Sequence, residues 1–76
     1  MAIITSEQYR MARAALRLSV RDVAAMANVS TNTLTRLENG EELKQRTLEA
    51  IRNALEKAGV EFTNGDHPGV RMKRSS

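Results

Sequence analysis

Between Ser6 and Ala58 the apolar residues recur at three- and four-residue steps, the spacing of helices with one buried face, and after Gly59 they fall at every second position. The first periodic stretch predicts a helix over about residues 6–18, with Thr5 or Ser6 as cap and Glu7 favourably placed in the opening turn. Tyr9, Met11, Ala12, Ala15, Leu16 and Leu18 spread a broad apolar surface around it. Ser19 and Asp22 have capping-box spacing, with Asp shorter than the usual Glu, and open a second helix from Val20 to about Ala27 whose inward residues are Val23, Ala24 and Ala27. Asn28 stands where the chain must turn sharply, and Asn tolerates left-handed backbone better than other residues with a Cβ. Ser30 caps a third helix that ends near Glu38, buries Leu34 and Leu37, and stops at Asn39-Gly40. A fourth, over about residues 47–58, offers Leu48, Ile51, Ala54, Leu55 and Ala58 to the same core and ends at Gly59.

Beyond Gly59, Val60 and Phe62 alternate with Glu61 and Thr63, residues 64–69 supply turn chemistry, and Val70 and Met72 alternate with Arg71 and Lys73. This pattern predicts a small hairpin, which needs a surface to rest on because two short strands are marginal alone. It can cover the helical core or pair an edge with another subunit. The organisation is then a mainly α domain over residues 1–58 and a C-terminal extension over residues 59–76, with Ser75 and Ser76 expected to fray.

The second and third helices are short and separated by the tight Ala27-Asn28-Val29 corner, and the third opens with a Thr31-Asn32-Thr33 face that can meet bases. Duplex DNA recognition by a helix-turn-helix is the leading reading of that arrangement. Thr31, Asn32, Thr35 and Arg36 lie opposite the leucines. The 76 residues, 41% of them hydrophobic, suit one compact domain with a small core, so small-molecule sensing would have to come from elsewhere. Twelve Arg and Lys against nine Asp and Glu give a formal charge of +3, a moderate bias toward a polyanion. Arg10, Arg13, Arg17 and Arg21 crowd the first third, Lys44 and Arg46 follow the third helix, and Arg71, Lys73 and Arg74 lie near the end. For the N-terminal arginines, solvation or pairing along the helix outweighs phosphate contact, and Arg52, between Glu49 and Glu56, reads as structural.

Other chemistry is poorly supported. There is no cysteine for a disulfide or thiolate site, and no apolar run approaches the roughly 20 residues needed to span a bilayer. The start lacks a basic segment followed by an apolar core, so a cytoplasmic protein without membrane association is expected. His67 is alone beside Asp66 and sits with Pro68-Gly69 in a turn. No His-acid arrangement activates a serine or threonine, and the glycines form no phosphate loop, so neither an enzyme nor a cofactor is expected. Aromatic residues total 3%, which leaves no stacking platform for RNA.

The segments at residues 19–29, the Val29-Ser30 entry to the third helix, and Arg36-Leu37-Glu38-Asn39-Gly40 resemble the lambda-repressor-like, Cro/C1-type helix-turn-helix family, also called the XRE family. The resemblance covers roughly residues 10–58. It implies a four-helix lambda-repressor-like domain whose third helix enters the major groove, with base-edge contacts from Thr31, Asn32 and Arg36 and with Thr33 and Thr35 near the backbone. The side chains suit that role: Asn can bond adenine twice, Arg guanine twice, and Thr offers a hydroxyl or a methyl. Asn39, the peptides around Gly40, Lys44 and Arg46 resemble the family's backbone-clamping loop, where Glu41 and Glu42 would repel phosphate unless turned outward. Arg13 and Glu38 occupy the places of a family ion pair that orients more than it stabilises.

Two departures stand out. Val20 replaces a glutamine that many members use on phosphate, which leaves the adjacent Arg21 to supply that contact. The tail resembles the strand-like endings of small bacterial regulators rather than a fifth helix, so Val60, Phe62, Val70 and Met72 build a dimer or pack internally, or the tail supplies another phosphate contact. The function implied is a sequence-specific double-stranded DNA-binding transcriptional regulator, a repressor acting as a homodimer on a palindromic operator. One alternative is an antitoxin or accessory subunit whose main contact is a protein partner, favoured if those four apolar residues form an exposed face. Another is an architectural DNA binder, in which phosphate-facing cations rather than Asn32 or Arg36 govern binding.

Overall fold

The computed structural model describes residues 4–73; Arg74 of the basic end and the terminal Ser75 and Ser76 lie outside the described residues. Helices α1 (Ser6–Leu16), α2 (Val20–Ala27), α3 (Thr31–Glu38) and α4 (Gln45–Ala58) precede strands β1 (Val60–Thr63) and β2 (Gly69–Met72). The fold is mainly α, four helices with a short two-stranded hairpin at the C-terminal side.

All four helices open on the same device. An apolar residue just before the cap is followed five positions later by another, in the pairs Ile4 and Tyr9, Leu18 and Val23, Val29 and Leu34, and Leu43 and Leu48. Every one of these eight belongs to the core or packs against it, which fixes the angle at which the chain enters each helix. Thr5 with Gln8, and Ser19 with Asp22, form reciprocal capping boxes, and the Ser30 hydroxyl accepts from the Thr33 N–H at 3.1 Å. Helix α4 begins at Gln45, two residues before the expected start, because Lys44 occupies its cap position without a side-chain bond and so leaves no capping signature.

Three helix ends also share a device. Arg17 (φ 56°), Asn28 (φ 57°) and Gly40 (φ 82°) are left-handed. The next N–H in each case bonds back five residues at 3.0 Å: Leu18 to the Arg13 carbonyl, Val29 to Ala24, and Glu41 to Arg36. Each bond satisfies a terminal carbonyl and turns the chain sharply. Helix α1 therefore stops at Leu16, short of the expected Leu18. Leu18 and Val29 each close one helix and brace the start of the next, which is why the α1–α2 and α2–α3 connections are so short.

Tyr9, Val23, Leu34, Ile51, Leu55 and Val60 are fully buried, and side chains of this size contribute on the order of 2 kcal/mol each through removal from water. Helix α2 packs on α3 and α4, while α1 packs on α3, α4 and both strands. The hairpin is antiparallel, with Val60 opposite Met72 and Phe62 opposite Val70. It rests on the helices through buried Val60 and Phe62 and half-buried Val70. Gln8 ties down its turn end: Nε2 donates to the carbonyls of Thr63 (2.9 Å) and Gly69 (3.1 Å), while Oε1 accepts from the Thr5 N–H (2.9 Å). This buried amide is satisfied on both its oxygen and its nitrogen. The four hairpin residues do not make the single exposed apolar face that the protein-partner alternative asks for, since of them only Met72, 53% accessible, is well exposed.

Candidate nucleic-acid interface

Helix α3 is eight residues long, about 12 Å at 1.5 Å per residue, and an α-helix with its side chains is about 10–12 Å across, a diameter that the roughly 12 Å wide DNA major groove admits. Leu34 and Leu37 are buried and seat one side of it against α1 and α2. At spacings of one, four and five from Thr31, the residues Asn32, Thr35 and Arg36 share the opposite, exposed side. Among the described residues the Thr31 hydroxyl and the Asn32 amide have no hydrogen-bond partner. Thr35 donates its hydroxyl to the Thr31 carbonyl at 3.1 Å. Thr33 is half-buried, with Oγ1 2.8 Å from the Ser30 hydroxyl, so its polar atom is engaged locally at the cap.

At the other end, Arg36 Nε donates to Glu41 Oε1 at 3.2 Å, with both side chains about half exposed. Asn39, Lys44 and Arg46 are exposed around the loop into α4, together with Glu41 and Glu42. Arg21 is exposed on the first turn of α2, a different element, and Val20 beside it is half-buried against the core. The structure thus gathers Thr31, Asn32, Thr35 and Arg36 on one helix face, with Asn39, Lys44 and Arg46 following its C-terminal end.

The inner side of that end is held by α1. Arg13 Nη2 lies 2.6 Å from Glu38 Oε1, with side chains 29% and 25% exposed, and Arg10 Nη2 donates to the Glu38 backbone carbonyl. Two guanidinium groups at a helix C-terminus also complement the negative end of its dipole. Arg13 stands over the Tyr9 ring, 5.7 Å from its centroid. Burial raises the Tyr9 pKa above that of an ordinary tyrosine, the Arg13 charge opposes this, and the Glu38 charge adds to it. On α2, the Asp22 carboxylate is held below the usual carboxylate range by hydrogen bonding with the Ser19 backbone and side chain.

A helix-turn-helix family model matches residues 10–62, from the second turn of α1 to buried Phe62. The chain belongs to the helix-turn-helix family. It is of the XRE, Cro/C1-like type, and such helix-turn-helix domains are generally involved in sequence-specific DNA binding and transcriptional regulation and are typically non-catalytic. A comparison with curated proteins finds no match.

Within this helix-turn-helix, two residues have places that sequence reasoning missed. Arg10, read as solvated or phosphate-facing, instead caps the end of α3, a contact 28 residues away that no local pattern signals. Glu41, read only as a repulsive charge, pairs with Arg36, and its signal is the Gly40 turn that folds the two together. A groove of about 410 Å³ between the start of α1 and the α3–α4 loop has Glu7, Glu41 and Glu42 among its lining, chemistry that repels nucleic acid. Among the described residues no group of three His, Cys, Asp or Glu could hold a metal ion, and no helix is long and apolar enough to cross a membrane.

Proposed function

We propose that this chain is a transcriptional repressor of the cytoplasm that reads duplex DNA through the outer face of α3 and binds a palindromic operator as a homodimer. The observation that carries the reading is the division of α3 into a buried side, Leu34 and Leu37, and an exposed side on which the Thr31 and Asn32 polar groups have no partner within the described residues. Exposed amide and guanidinium groups one turn apart suit adjacent base edges, Asn32 an adenine and Arg36 a guanine. Arg21, Asn39, Lys44 and Arg46 flank that face as phosphate contacts that set orientation, joined by Thr33 and Thr35 at its margins.

One helix of this length meets only a few base pairs, so two copies on an inverted repeat supply both the length of site and the affinity of a specific regulator. Occlusion of a promoter by such a pair is the simplest route to repression. The direct test is selection from a randomised duplex library at near-physiological salt, followed by titration of the enriched duplex with its stoichiometry measured. One inverted repeat bound by two chains supports the reading. Weak binding without an enriched sequence moves the function to architectural binding or to a protein partner.

A further inference from the structure

The three left-handed helix ends are alike in backbone and unlike in side chain. Such a turn brings the side chain just after the left-handed residue back over the last turn of the helix, where an apolar contact commonly forms. At the ends of α1 and α2 that residue is Leu18 or Val29, both packed against the core. At the end of α3 it is Glu41, and what it meets is Arg36, the residue whose carbonyl accepts its N–H. Gly40, at φ 82° with nothing within 4 Å of where a Cβ would stand, makes the turn.

We infer that Glu41 is a specificity-determining positioning residue: it holds the Arg36 guanidinium by Nε and so directs its two Nη groups to a base edge rather than to phosphate. The geometry supplies both halves of this role. A guanidinium carries its fork of two Nη groups on the side away from Nε, and that fork is what matches the O6 and N7 acceptors of guanine. A carboxylate at Nε leaves the fork free. It also places a negative charge where Arg36 would otherwise turn toward a phosphate, so the same contact weakens sequence-independent binding. Glu42, the adjacent carboxylate, has no such partner among the described residues and carries no part of this role.

The inference rests on the reading that α3 contacts bases, and the experiment separates the two. Wild type, Glu41→Gln, Arg36→Ala and the double variant are titrated, as the full chain, against the library-enriched duplex and an unrelated duplex of equal length over a range of salt, with folding checked by circular dichroism. Glu41→Gln is expected to bind the unrelated duplex several-fold more tightly, with a salt slope steeper by about 0.9 for the one added phosphate contact. Its gain on the enriched duplex is smaller, so the ratio of specific to non-specific affinity falls. In the Arg36→Ala background the same substitution leaves that ratio unchanged. Equal gains on both duplexes, or a fall in the ratio that persists without Arg36, would overturn the inference while leaving base reading intact. A wild type with no preference between the duplexes removes the base reading and the inference together.

Discussion

The two ends of α3 are built to opposite purposes. At the C-terminal end nearly every polar group is tied: the Glu38 carboxylate to Arg13, its carbonyl to Arg10, the Arg36 guanidinium to Glu41, and the Arg36 carbonyl to the Glu41 N–H. At the N-terminal end the cap is closed by Ser30, yet the Thr31 and Asn32 side chains are committed to nothing within the described residues. A helix anchored at one end and chemically open at the other presents a fixed position with unspent hydrogen-bonding capacity. Substitutions at Glu38 and at the Gly40 turn should therefore register as lost stability, and substitutions at Asn32 as lost recognition.

The largest stability effect is expected at Glu38. Glu38→Ala leaves Arg13 as a partly buried charge without its partner, and with about a quarter of each side chain still exposed, solvent reduces the loss to about 2 kcal/mol. Urea denaturation measures it. Replacing both partners by apolar residues, Arg13→Met with Glu38→Leu, should recover most of the loss, and failure to recover would show that the ion pair itself stabilises the anchored end.

Gly40→Ala comes next. No atom lies near the added methyl, so the cost is conformational alone, about 1 kcal/mol for an L-residue held left-handed. A thermal melt with no shift would mean that the end of α3 can close without that turn.

A smaller effect follows from pH. The folded-state pKa of Asp22 is depressed, so its contribution is fully present above the unfolded-state value and is lost as pH falls through the lower folded value. Stability should therefore decline below about pH 4, and Asp22→Asn should flatten that part of the stability profile. An unchanged profile would remove the α2 capping box from the account.

Much of the fold was legible because its signals are local. Ser19, Ser30 and Asn28 announce helix limits through their own side chains, and the switch to alternating residues after Gly59 announces the hairpin. Arg17 announces nothing, because a left-handed arginine has no sequence mark, and the apolar Leu16 and Leu18 on either side extended the helical pattern past its end. Gln8 was half legible. Its position three after Thr5 is capping-box spacing, whereas its bonds to Thr63 and Gly69 span more than fifty residues and exist only once the hairpin has docked. At the candidate interface, the exposed face of α3 follows from helical spacing around two leucines. The attachments of Arg10 and Glu41 depend on how α1 and the Gly40 turn meet the end of that helix.

The most direct measurement pairs the two readouts on one substitution at the open end. Asn32→Ala should change unfolding free energy by less than about 0.5 kcal/mol, as an exposed residue without partners does, while costing about 1–3 kcal/mol of discrimination at one base pair of the enriched duplex. A variant that stays folded and keeps full discrimination at every position would contradict the claim that the outer face of α3 reads DNA.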